Sequence, residues 1–224
     1  MESIDKFIYN GDGVNEFGSG YGLASDFFIS IAFWTVVQIA FFQFPNLDAY
    51  KMSRGDYLDF RNRMVSFIHG LACLCLSGYH MVYMRTDCGE SKNFIEYITL
   101  VMSGGYFTYD LLGMAWFSIL DLDMGVHHFL CISGIIAVLV QDIGCGHVVM
   151  GLFVAEVSNP AMHLRILLRH LGKRYTRGYE MAEYTYFTTF FFGRIVIGHP
   201  VVYATVTCQV MNLLARFVCL GILA

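Results

Sequence analysis

Three long apolar runs constrain this chain more than any other feature: "FFISIAFWTVVQIAFFQF" (residues 27–44), "MVSFIHGLACLCLSGYHMVYM" (residues 64–84) and a tail that stays apolar from Tyr184 onward. Each is near or above the roughly 18 residues needed to cross a hydrocarbon core about 30 Å thick. A backbone inside lipid must satisfy its own hydrogen bonds, so runs of this kind fold as helices. The composition agrees, with 56% hydrophobic and only 14% charged residues and three prolines in 224, outside the balance of a soluble globular domain. The expected fold is therefore an all-α, polytopic membrane helix bundle.

The amino terminus, "MESIDKFIYNGDG", lacks the basic and short apolar regions of a cleaved leader. It is read as the start of a retained polar segment, residues 1–26, ahead of a single transmembrane domain, residues 27–224. Hydropathy predicts about six spans around a polar inner cavity: 27–44, 64–84, 94–120, 126–140, 146–168 and 184–207. Pro160 and Pro200 interrupt the last two, since proline removes a backbone donor. The final apolar stretch is expected to be one long bent helix with a carboxyl-terminal extension.

Basic residues divide unevenly between the loops. Lys51, Arg54, Arg61 and Arg63 precede the second span, and Arg165, Arg169, Lys173, Arg174 and Arg177 follow the fifth. Only Lys6, Arg85 and Lys92 fall on the other side. Four crossings separate the two rich loops, which puts both on the cytoplasmic-type face. The same topology brings the loop cysteines Cys88 and Cys145 to the opposite face, where an oxidising compartment would allow them to pair. A net charge of -4 gives no basic surface, and a nucleic-acid partner is not expected.

Charged and polar residues inside the spans mark the candidate site, because a charge at mid-bilayer costs roughly 2.5 to 3.5 kcal/mol unless paired or set in a cavity. Asp110, Glu156 and Arg194 are the three such cases. On the second span Ser66, His69, Cys73, Ser77 and His80 repeat at three- and four-residue intervals and share one helical face. Ser103, Tyr106 and Asp110 make a shorter stripe on the third span; Glu156, Asn159 and His163 make another on the fifth. Arg165, nine residues past Glu156, falls on the opposite side and belongs to the interface. The adjacent His127 and His128 enter at the inner end of the fourth span. Interhelical hydrogen bonding would account for any one of these residues without a ligand. Their convergence favours a pocket open toward the interface, suited to an amphipathic lipid. The histidine pair has no third ligand at metal-binding spacing, so no metal is expected.

In their order, "RNRMVSFIHG", "GYFTYDLLGM", "HHFL", "AEVSNPAMHLR" and "FFFGRIVIG" resemble the TLC-domain family, which includes ceramide synthases and translocon-associated proteins. The resemblance is strongest over residues 61–200 and is closer to the small non-synthase members. It implies a helical bundle around a lipid-accessible cavity with the paired histidines at its mouth. Carried over from the synthases, His127 or His128 would be the base or acyl acceptor and Asp110 would orient it, with acyl-CoA as co-substrate and no other cofactor. An imidazole suits either role. The helix after the histidines, "GHVVMGLFVAEVSNP", has one acid where the synthases carry a further acidic motif. The reading is therefore a protein that binds or regulates membrane lipids through Ser66, His69, Tyr106, Glu156, Asn159 and Arg194 without catalysis. Its alternatives are an acyl-CoA-dependent lipid N-acyltransferase using His127, His128 and Asp110, and a lipid-holding subunit beside other membrane subunits. The setting is an endomembrane or mitochondrial membrane, the sequence carrying no address for either.

Overall fold

The computed structural model describes residues 22–42, 52–84 and 87–221. Most of the predicted polar segment 1–26, together with Lys6, Lys51 and Arg85 of the charge count, lies outside the described residues. The described chain is helical: α1 (Leu23–Phe42), α2 (Arg54–Tyr83), α3 (Phe94–Trp116), α4 (Leu122–Gln141), α5 (Cys145–Glu156), α6 (Asn159–His170), α7 (Arg177–Phe190), a π-helical segment (Phe191–Ile197), α8 (Gly198–Thr207) and α9 (Leu213–Leu220). Side-chain caps set several starts. Ser53 Oγ accepts from the Asp56 amide at 3.1 Å at the head of α2, and Asp121 Oδ1 from the Met124 amide at 2.8 Å at the head of α4. At α3 Asn93 and Glu96 form a reciprocal capping box.

Among the described residues four stretches are long and apolar enough to cross a membrane: Leu23–Phe41, Arg54–Tyr83, Leu122–Gln141 and Arg177–Thr207. The expected six is thus not reproduced on that criterion. α3, at 23 residues, has the length, but its tyrosines, glycines and the acids Glu96 and Asp110 make it too polar. The predicted fifth span, 146–168, is not one helix: it breaks after Glu156 into α5 and α6, twelve residues each. Pro160 sits at the start of α6, where its missing N–H costs nothing; four residues deeper in a continuous helix it would have removed a bond and clashed. The sixth span begins at Arg177 instead of 184 and continues to Thr207. Its bend is taken up by the π turn ahead of Pro200, a common way to absorb an irregularity within a helix.

The helices alternate in direction. α2 packs between α3, α5 and α6, and α1 lies along α3. Small residues allow that last contact: a Cβ on Gly105 would come within 2.1 Å of Ser30 Oγ, and one on Gly104 within 2.5 Å of the Phe27 ring. Close backbone approach of this kind is how helices associate in lipid. Trp34 Nε1 then donates to the Met102 carbonyl at 3.0 Å.

At one end His170 Nε2 meets Asp59 Oδ2 at 2.8 Å, joining the end of α6 to the start of α2. The two arginine-rich stretches therefore share a face, here called the basic end. At the far end Lys92 Nζ donates to Asp142 at 2.6 Å and Gln141 Nε2 to the Val210 carbonyl at 2.9 Å. Cys88 is disulfide-bonded there to Cys208, not to Cys145. Cys145 is a buried free thiol directed at the Val138 carbonyl, 3.4 Å away. The prediction placed the right face but missed that the α8 to α9 corner returns to it with a cysteine of its own. From that corner α9 folds back against α4 and α8.

Candidate functional site

α3 and α4 each deliver one member of the central pair. Asp110 lies six residues before the end of α3 and His128 six residues after the start of α4, so both sit about 9 Å in from the basic end. His128 Nε2 is 2.9 Å from Asp110 Oδ2, and Asn62 Nδ2 on α2 donates to Asp110 Oδ1 at 2.8 Å. His128 Nδ1 lies 2.9 Å from the Met124 carbonyl. A carbonyl only accepts, so Nδ1 carries a hydrogen. The proton between Nε2 and the carboxyl then belongs to one side or the other, giving an imidazolium–carboxylate or a neutral pair. Either way both ring nitrogens are engaged. The pair is sealed, His128 being 2% and Asp110 3% exposed.

Deeper between α2 and α3 the predicted stripes meet side chain to side chain. Tyr106 Oη donates to Ser66 Oγ at 2.9 Å, and Ser66 in turn donates to the Asn62 carbonyl at 3.0 Å. The His69 ring stacks on Tyr106 with centroids 3.8 Å apart and planes 7° off parallel. Its Nε2 is 3.3 Å from Ser103 Oγ, which donates to Cys73 Sγ. Trp34 closes this group from α1 with its ring edge toward both His69 and Tyr106. All five residues of the α2 stripe are buried. Ser66, His69 and Tyr106 thus spend their contacts on one another.

Glu156 ends α5 beside α2, its Oε2 close to Gly70, with Asn159 near it across the break. Arg194, from the π segment, lies within electrostatic reach of Glu156 and of His127. A cavity of about 100 Å³ opens on the other side of Arg194, between α4, α5 and α9. His127 and Arg194 are its polar lining; Leu130, Ile135, Leu152 and Val218 supply the apolar walls. Gly134, Gly151, Ala155 and Ala215 keep it open by being small. His127 is exposed and its Nε2 reaches Cys131 Sγ, one turn on, at 3.7 Å.

The structure therefore separates the adjacent histidines: His128 turns into the packed core and His127 into the cavity. Of the residues predicted to bind lipid, Arg194 lines this cavity, Glu156 and Asn159 stand behind it, and Ser66, His69 and Tyr106 lie in the packing between α2 and α3. Arg165, expected at the interface, is partly exposed and pairs with Glu183 at 3.2 Å. Two partners escaped the sequence reading. Asn62 could have been found by continuing the α2 stripe one turn back from Ser66. Glu96 meets His80 Nε2 at 2.8 Å while both are buried; it lies at the start of its span, outside the stripes read from spacing. Among the described residues no group of three or more His, Cys, Asp or Glu side chains is placed to hold a metal ion.

Comparison with known families gives one finding that bears on this arrangement. The family model described as the TLC domain matches residues 59–223, a span that contains every residue of the central pair and of the cavity lining.

Proposed function

The chain belongs to the TLC-domain family, and from that premise we propose that it is an integral membrane protein that holds a lipid chain in the cavity between α4, α5 and α9, without performing chemistry on it. The observation that carries this reading is the division of labour between the histidines. The one beside the carboxylate has neither nitrogen to spare, so it could take up a proton or an acyl group only by surrendering a buried hydrogen bond, at about 1 to 3 kcal/mol. The one facing the cavity has no carboxylate to orient it. A slot walled by Leu, Ile and Val, with His127 and Arg194 as its polar lining, suits a short segment of a lipid chain; at about 100 Å³ it takes in only part of one.

Native mass spectrometry of protein purified in mild detergent tests this. The wild type is expected to retain a lipid that Ala155→Leu, which fills the slot, releases without loss of folded protein. Incubation with long-chain acyl-CoA and an amine acceptor is expected to yield no amide. Retention of the same lipid by the filled variant would overturn the binding site, and turnover that disappears with His127→Ala would replace binding with acyl transfer.

A further inference from the structure

The whole chain carries a net charge of -4, yet the turn between α6 and α7 is locally positive. Between Glu156 and Glu180 the sequence has no acid, while Arg165, Arg169, Lys173, Arg174 and Arg177 follow one another closely. Backbone bonds fix the turn that displays them. Gly172, at φ +70°, ends α6 in the left-handed conformation, and the Lys173 amide folds back to the Leu168 carbonyl at 2.9 Å. The Thr176 amide then donates to the Lys173 carbonyl at 3.2 Å, and its hydroxyl opens α7 by accepting from the Tyr179 amide at 3.4 Å. Arg165 is drawn back to Glu183, and His170 to Asp59. Arg169, Lys173, Arg174 and Arg177 stay exposed, and among the described residues the ion pairs at this end use none of the four. Asp56, within electrostatic reach of Arg169, and Glu180, in the first turn of α7, offset only part of their charge.

The level of the turn decides what would answer that excess. Arg177 opens the stretch Arg177–Thr207, apolar enough to cross a membrane, and Met181, Tyr184 and Phe187 are exposed along its first turns. The cations therefore stand where hydrocarbon gives way to head groups. Tyr175, 92% exposed beside Arg174, sets an amphipathic ring at the same level, where tyrosine is favoured. Clustered Lys and Arg next to a span attract anionic lipids, and an arginine fork matches the oxygens of a phosphate.

We propose that the α6–α7 turn is a docking surface for the phosphate head groups of anionic membrane lipids, held by Lys173, Arg174 and Arg177 with Arg169 beside them. A zwitterionic head brings its own cation and gains little here. The surface is separate from the cavity between α4, α5 and α9.

Native mass spectrometry of the full-length protein in a neutral detergent tests this with dioleoyl phosphatidylglycerol and dioleoyl phosphatidylcholine, which differ only at the head. Wild type is expected to bind the anionic lipid about tenfold more tightly or better, with the preference shrinking as ammonium acetate is raised. Lys173→Gln alone should lower it, and the combined change of Lys173, Arg174 and Arg177 to Gln should bring it near unity. Lys92→Gln, an equal loss of charge at the far end, should leave it in place. Equal binding of the two lipids by wild type, or a preference that the triple variant keeps, overturns the proposal. Displacement of the bound phosphatidylglycerol by glycerol phosphate at the same concentration would make this a site for a soluble phosphate and overturn the lipid assignment. Should the triple variant fail to fold, Lys173→Gln and the salt dependence decide the matter. None of these outcomes bears on the cavity, whose own test uses Ala155→Leu.

Discussion

Replacing Asp110 with alanine tests whether the central pair holds the bundle together. The carboxylate is buried and accepts from Asn62 at 2.8 Å and meets His128 at 2.9 Å. Its removal leaves two buried polar nitrogens, Asn62 Nδ2 and His128 Nε2, without a partner. Each orphaned group costs about 1 to 3 kcal/mol. Hydrogen bonds in lipid measure nearer 0.6 to 2 kcal/mol, because the dissociated helices find other partners. Together these place the loss at about 3 kcal/mol, on the order of 6 to 12 °C in Tm for a chain of this size. Asp110→Asn keeps the Asn62 bond and should lose about half as much. The triple change of Asn62, Asp110 and His128 to leucine removes every polar partner at once and should recover most of the stability. Heating in detergent with a thiol-reactive dye gives the readout, since Cys73, Cys145 and Cys219 are buried and free and label only on unfolding. An alanine variant within about 2 °C of wild type, or a triple leucine variant no better than the single one, would refute the reasoning.

Other consequences are open to similar checks. Non-reducing peptide mapping under denaturing thiol trapping should recover a Cys88–Cys208 linked peptide and Cys145 as its alkylated free thiol; a Cys88–Cys145 peptide would contradict the fold at the far end. Because that bond joins residues 120 apart, Cys88→Ser should cost up to about 5 kcal/mol on a chain-entropy basis, read as a lower Tm that added reductant no longer changes. Gly105→Leu should push α1 off α3, because even a Cβ there meets Ser30 at 2.1 Å; a loss of about 1 to 3 kcal/mol is expected, and a neutral result would mean the two helices do not cross at that point.

Helices, their alternation and the buried face of α2 were legible in the sequence, because hydropathy and the three- and four-residue spacing depend only on the local chain. The contact between Asp110 and a histidine was also within reach, since both lie one to two turns from the same interface. Which histidine it would be was not. Consecutive helical residues point about 100° apart, and only the placement of α3 and α5 decides that His128 faces the acid and His127 the cavity. The break at Glu156 was half visible: Pro160 announced a disturbance, but hydropathy averaged across it and returned one span. The disulfide was mispaired because Cys208 lay inside an apolar run, and nothing local revealed the corner that follows Thr207.

The division of the fifth crossing into two twelve-residue pieces reaches back to how the protein is made. Neither piece has the roughly 18 apolar residues that let a segment partition into lipid by itself, and α3 before them is penalised by its acid at Asp110. The stretches that meet the criterion are α1, α2, α4 and the helix from Arg177; from α2 onward they alternate with the ones that do not. In the folded chain the acids of these segments are received by the apolar ones: Asn62 and His128 meet the carboxyl group of Asp110, and Gly70 of α2 leaves room for that of Glu156. The acids of the polar interior, Asp110 and Glu156, thus ride on segments that fall short of that criterion, while their partners on α2 and α4 ride on segments that meet it.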